Sequence, residues 1–305
     1  MVSEMSNTTK RILAAVILLL ILLFVFYLGQ SVFIFFIILI GLFLIDETVI
    51  NIFKFRRHSV TYFFNVFFYL LFINIILHSY YVPFNLFYIE YLNSDIWWRV
   101  LKSNFLLENI LYKFVIAAII VNFLALIYLF LVPIDNLSIM NWLKKIKIFW
   151  GFYFFLNIVL FIFLVILARE TWIHCLVLLF IICFGTDTGA WFFGKRFGKN
   201  KLWPSVSPNK TIEGLIGGVF LSGVLAAFYY VCFFEFNTLI VVALFPFLGA
   251  VSHLGDLLQS KIKRQCGVKN SSSLIPGHGG VYDRLDSVLF LTPFYLVVIF
   301  YHSIF

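Results

Sequence analysis

Between Gly255 and Asp286 the chain reads GDLLQSKIKRQCGVKNSSSLIPGHGGVYDRLD, a stretch that gathers Asp256, Asp283 and Asp286 among Lys261, Lys263, Arg264, Lys269 and Arg284. All 305 residues together hold only 14 acidic and 22 basic side chains, so this local density asks for a charged ligand. Pro276-Gly277-His278-Gly279-Gly280 lies between the acidic ends, where glycines let backbone amides approach a ligand closely. Asp283 and Asp286 are three residues apart, which puts both carboxylates on one face of the first turn of a helix. Acids at a helix start are also favoured by the dipole, by about 0.3 to 1 kcal/mol each, whether or not they bind anything. Gly249, His253, Asp256 and Ser260 recur at steps of four, three and four and share one face if their helix runs on unbroken. On that face His253 reads as a hydrogen-bonded buried residue rather than a ligand. One or two carboxylates with substrate phosphates are the usual surroundings of Mg²⁺. The pattern predicts a phosphate cradle beside a divalent metal.

A second polar stretch, FGTDTGAWFFGKRFGKNKLWPSVSPNKTIEGLIGG, runs from Phe184 to Gly218. Asp187 stands near the end of an apolar run, where a carboxylate is costly enough to be a functional suspect or else an interfacial partner of Lys or Arg. Lys195, Arg196, Lys199 and Lys201 follow, and then Ser205, Ser207, Pro208, Asn209, Lys210 and Thr211 lead into the run that Glu213 opens. Hydroxyls, a lysine and free amides at a helix start suit phosphate oxygens. The same residues equally make an N-cap preceded by ordinary basic loop charge.

What positions these groups is set by composition. At 63% hydrophobic and 12% charged, with 41 Phe, the chain lies far outside the soluble range and reads as an integral membrane protein. Apolar runs of about 20 residues, enough to cross roughly 30 Å of hydrocarbon as helices, fall near 12–28, 31–50, 60–81, 114–133, 149–167, 172–193, 212–232, 238–255 and 287–304. The fold class expected is all-α, a polytopic bundle of about nine transmembrane helices with a polar catalytic cavity at its cytoplasmic face. It divides into N-terminal spans over 1–148 and a C-terminal catalytic region over 149–305, within one membrane domain. Lys10 and Arg11 precede a first run with no small-residue cleavage site, which reads as a retained span. With that end cytoplasmic, only Arg99, Lys102, Lys113 and Arg169 of the 22 basic residues fall outside, as the positive-inside rule requires. The net charge of +8 then reflects topology and anionic lipid, and no basic stripe with interleaved aromatics points to nucleic acid.

Tyr80–Lys113 is the longest non-spanning stretch on the outer side, and its Trp97, Trp98, Arg99 and Lys102 read as an interfacial anchor. Gly214, Gly218, Ser222 and Ala226 form a small-residue seam that brings another helix close, either within the chain or in a homodimer. Cys175, Cys183, Cys232 and Cys266 show no ligand-like or disulfide-like pairing.

The stretch at the C-terminal end resembles the signature of the integral-membrane CDP-diglyceride synthetases (phosphatidate cytidylyltransferases), roughly SxxKRxxxxKDxxxxxPGHGGxxDRxD. Ser260, Lys263, Arg264, Lys269, Pro276, Gly277, His278, Gly279, Gly280, Asp283, Arg284 and Asp286 match it. The resemblance reaches back through Gly255-Asp256-Leu257, SPNKTIEG and DTGAWFFGKRFGK, about the last 120 residues. Gln259 and Asn270 depart from it, standing where the family has Glu and Asp.

The resemblance implies transfer of CMP from CTP to phosphatidate, giving CDP-diacylglycerol and pyrophosphate in a multi-pass protein of a bacterial inner membrane. It implies Mg²⁺ on Asp256, Asp283 and Asp286, with room for a second cation such as K⁺. Lys263, Arg264 and Arg284 join those acids as catalytic groups. Ser260, Lys269, His278, Gly279 and Gly280 are expected on substrate, as are Asp187, Ser207, Asn209, Lys210, Thr211 and Glu213. On this expectation Asp283→Ala abolishes transfer with little effect on folding. The alternatives of another class are a CTP-dependent kinase of a long-chain membrane alcohol, which would release CDP, and a transporter or non-catalytic membrane protein.

Overall fold

Long apolar runs with few glycines or prolines satisfy their backbone only as helices in hydrocarbon. The computed structural model of the chain describes residues 7–89, 96–131, 147–168, 171–234, 239–275 and 279–299. Among them stand nine α-helices: α1 (Asn7–Tyr27), α2 (Gln30–Ile45), α3 (Val60–Ile89), α4 (Ile96–Leu131), α5 (Lys147–Leu167), α6 (Trp172–Phe197), α7 (Ile212–Phe233), α8 (Leu239–Gln265) and α9 (Tyr282–Ile299). A π-helical segment, Asp46–Ile52, prolongs α2, and a short hairpin of β1 (Lys201–Trp203) and β2 (Ser207–Thr211) precedes α7. Every apolar run of the sequence coincides with one of these helices. Four stretches, Gln30–Ile52, Trp172–Phe197, Ile212–Phe233 and Leu239–Gln265, are long and apolar enough to cross a membrane.

Helix α5 is the centre. Leu156 to Ile166 are buried on every side of it, the mark of a core helix rather than an amphipathic one. It packs against α2, α3, α4 and α9, so the stretches on either side of residue 148 share one core. Asn122 of α4 donates to Asn157 of α5 at 3.0 Å, and Gln30 at the head of α2 donates to the Val165 carbonyl at 2.8 Å. The outer helices turn Phe24, Phe64, Phe123, Phe220 and Phe228 outward, each more than half exposed. So much exposed aromatic surface suits lipid and not water.

The small-residue seam is used inside the chain. A Cβ on Gly218 would stand 2.5 Å from the Thr186 carbonyl, and one on Gly189 would stand 2.9 Å from Gly218 Cα, so α6 and α7 meet almost backbone to backbone. A homodimer would have to use another face.

Two local features go beyond the sequence pattern. Trp97, Trp98, Arg99 and Lys102 lie in the first turns of α4, a single helix of 36 residues. At 1.5 Å per residue it is about 54 Å long and outruns a hydrocarbon core of about 30 Å. The approach to α7 is a hairpin instead of a plain loop. Pro204 ends β1, the Val206 amide closes the turn on the Trp203 carbonyl, and Trp203 pairs with Ser207. Buried Val206 anchors that turn, and the Trp203 ring lies 5.9 Å from Phe130 of α4.

Candidate active site

One end of the bundle collects the charges. The C-terminal turns of α8 bring Asp256, Ser260 and Lys263, the first two turns of α9 bring Asp283 and Asp286, and β2 brings Lys210. Lys210 Nζ meets Asp256 Oδ2 at 2.6 Å, and Ser260 one turn on donates to Asp256 Oδ1 at 3.3 Å. Lys263 is buried and bridges the two acids of α9, at 2.8 Å from Asp283 Oδ1 and 3.4 Å from Asp286 Oδ2, while also facing the charge of Asp256. Asp187, in the C-terminal half of α6, lies within electrostatic reach of Asp256, Lys210 and Arg284. Two lysines thus pair with three carboxylates, and Asp187 and Arg284 stand close by.

The glycine-bearing loop is held by carboxylates. Asp283 Oδ2 accepts the amides of Ser271 at 2.8 Å and Gly280 at 3.0 Å. Burial pushes the Asp283 carboxyl upward, yet Lys263 and these amides hold it below its usual range; it stands ahead of the apolar run that begins at Ser287. The Ile275 amide donates to the Gly279 carbonyl at 2.8 Å and closes the loop around residues 276–278. His278, with Pro276 and Gly277, lies outside the described residues. Gly279 has φ +89, and a Cβ there would stand 2.6 Å from Asp283 Oδ2, so no other residue fits.

The remaining predicted residues divide between the cluster and the scaffold. Thr211 caps α7 by accepting the Gly214 amide at 3.1 Å, which favours the N-cap reading for its hydroxyl. Glu213 accepts the amide and side chain of Asn200 at 2.9 to 3.2 Å and fixes the turn before the hairpin. Ser207 is half-buried and Asn209 exposed on β2. Arg264, Lys269 and Arg284 are exposed around the rim, and Arg264 reaches the Val268 carbonyl at 3.4 Å. Lys261 belongs to the scaffold: it is fully buried and donates to the carbonyls of Tyr128 and Leu129 at 3.2 and 2.7 Å. His253 is buried, and among the described residues neither ring nitrogen has a hydrogen-bond partner, so the bond expected for it is not made. Of the two departures from the family signature, Gln259 is buried and Asn270 is exposed.

Glu47 was missed altogether. It sits in the π-helical segment after α2, only 4% exposed, and accepts four hydrogen bonds from the loop. These come from Ser271 Oγ at 3.0 Å, Ser272 Oγ at 2.6 Å, the Val281 amide at 3.0 Å and the Tyr282 amide at 2.8 Å. The neighbouring Asp46 pairs instead with Arg57 and Tyr62 and pins the chain leaving that segment. A carboxylate inside an apolar run was the usable signal, the same one that singled out Asp187.

As a donor set the cluster suits a hard divalent cation. Its donors are carboxylate oxygens, and Asp256, with 28% of its side chain exposed, is more open than Asp283 or Asp286. Among the described residues no group of three or more His, Cys, Asp or Glu stands at metal-binding spacing, and Lys263 lies between Asp283 and Asp286.

Comparison with known proteins gives a consistent result. The family model described as "Cytidylyltransferase family" matches residues 9–302. A protein of Staphylococcus aureus (strain COL) named "Phosphatidate cytidylyltransferase" is 48% identical over 128 residues, which is 41% of this chain and 49% of that protein. One of Bacillus subtilis (strain 168) with the same name is 45% identical over 115 residues, 37% of this chain and 43% of that protein. The match thus spans about half the length of these curated relatives.

Proposed function

Because the chain belongs to the cytidylyltransferase family, we propose that it is a phosphatidate cytidylyltransferase, transferring CMP from CTP to phosphatidate to give CDP-diacylglycerol and pyrophosphate. The observation that carries this reading is the joined network of Lys210–Asp256 and Lys263–Asp283–Asp286 at one end of an otherwise apolar bundle. The names of the similar proteins support the same reaction.

The chemistry asks little of the protein beyond charge and placement. The attacking oxygen belongs to a phosphate already anionic at neutral pH, so neutralisation and in-line positioning replace a general base. Lys210 is poised to exchange partners, leaving Asp256 for an arriving phosphate and so freeing a carboxylate. Arg264, Lys269 and Arg284 on the rim receive the nucleotide phosphates, and Asn209 and Ser207 on β2 face the same approach. Asp256 and Asp286 are the carboxylates that would hold Mg²⁺ together with those phosphates, since Asp283 is committed to Lys263 and two amides. Bound there, Mg²⁺ would offset charge on the departing pyrophosphate. Lys263 keeps Asp283 ionised and holds Asp286 in place, where burial and the charge of Asp256 push the Asp286 carboxyl upward.

We place all nine helices across the bilayer of a bacterial inner membrane, with this end at the cytoplasmic face. The basic residues of the hairpin and the 255–286 stretch support that side. CTP then arrives from the cytoplasm, and phosphatidate arrives laterally with its acyl chains still in lipid. The test is turnover by detergent-purified protein given CTP and phosphatidate, with and without EDTA. Equal amounts of CDP-diacylglycerol and pyrophosphate, lost on chelation, are expected; absence of any phosphatidate-dependent product from folded protein rejects the proposal.

A further inference from the structure

A buried carboxylate surrounded by four donors is fully committed, and among the described residues the donors on Glu47 come from the loop between α8 and α9 and from the first residue of α9. The partners lie 224 to 235 residues away in sequence, so the contact is made only once the α2 end and the loop are assembled. Its reach extends to the charged cluster through single residues. The Ser271 hydroxyl binds Glu47 while the Ser271 amide binds Asp283, and the Tyr282 amide binds Glu47 immediately before Asp283 in the chain. Gly280 closes the arrangement, because a Cβ there would collide with Ser271 Oγ and stand 2.5 Å from Glu47 Oε2. The second glycine of the pair is therefore required by the approach of Glu47, whereas the first is required by its own backbone and by Asp283.

We propose that Glu47 is a positioning residue for the transfer reaction, acting through the 271–282 loop to fix Asp283, and with it Lys263, against the substrate phosphates. This rests on the reaction proposed above. The geometry explains why a carboxylate is needed. An amide at this position keeps one accepting oxygen, and in either orientation its NH₂ group would face a backbone N–H, that of Val281 or Tyr282, which cannot accept from it. Asp would keep the charge with a shorter reach.

The test compares Glu47→Gln and Glu47→Asp with the unaltered full-length protein, each in detergent and normalised to its folded fraction. A displacement of about 1 Å at a catalytic group costs on the order of 100-fold. The expected result is a drop of about that size in kcat for Glu47→Gln with a smaller change in KM for phosphatidate, and partial recovery in Glu47→Asp. In a double-mutant cycle, Ser271→Ala added to Glu47→Gln should cost far less than Ser271→Ala alone, since both act on one contact. Hydrogen exchange gives a readout independent of turnover: the Val281 and Tyr282 amides should lose protection in Glu47→Gln while those of α5 keep theirs. Per-molecule activity within twofold of unaltered protein, or unchanged protection at Val281 and Tyr282, would overturn the proposal. Should the unaltered protein make no CDP-diacylglycerol, the reaction assignment fails and the positioning role falls with it, whatever the exchange data show of the contact.

Discussion

Asp283 shows how a residue can be found correctly for an incomplete reason. Its place at a helix start among bases made it a metal candidate, and the structure adds that it joins Lys263 to the amides of Ser271 and Gly280. Asp283→Ala is therefore expected to lose stability as well as transfer, contrary to the sequence-based expectation of intact folding. Leaving a buried charge wholly unpaired costs about 3 to 5 kcal/mol; Lys263 retains Asp286 at 3.4 Å, so a smaller loss is expected, read as a thermal unfolding midpoint below that of the unaltered protein. Asp256, Asp283 and Asp286 were legible because charges are rare in this chain and cluster in sequence. Glu47 offered only the signal of a carboxylate inside an apolar run, because its role lies in a contact with residues more than 220 positions away that no local spacing encodes.

At the scale of elements, each of the nine described helices was legible as an apolar run, as expected where the backbone has no alternative in lipid, but the extension of α4 back to Ile96 was not. The hairpin was not, since Pro204 and Pro208 in a polar stretch read as a loop, and its pairing depends on Val206 and Trp203 packing against neighbours. The seam on α7 was visible as spacing, but only the packing shows that α6 fills it. Gly218→Leu should force α6 and α7 apart and, as overpacking, cost about 1 to 3 kcal/mol. A lower melting temperature in detergent would show it, with activity falling in parallel because Asp187 and Lys210 sit on elements flanking that seam. An unchanged melting temperature would mean that the close approach is not needed.

For the molecule as a whole, the segment after α2, the hairpin and the α8–α9 loop must lie on one side of the membrane. Glu47 touches Ser271, and Lys210 touches Asp256. His58, Asn200 and Lys269 are exposed at that end, and Lys113 belongs to the opposite side in the nine-crossing arrangement. Single cysteines at the first three positions, in a chain whose own four cysteines are replaced, should react with an impermeant thiol reagent only from the cytoplasmic side, and one at Lys113 only from the other. A reversed or mixed pattern would refute the topology. The central claim, however, is which phosphorus reaches the lipid. CTP labelled at the α-phosphorus should deliver its label to the lipid product, while label at the γ-phosphorus should leave in pyrophosphate. Label passing from the γ-phosphorus to lipid, with the α-label retained in CDP, would contradict cytidylyl transfer and identify a kinase.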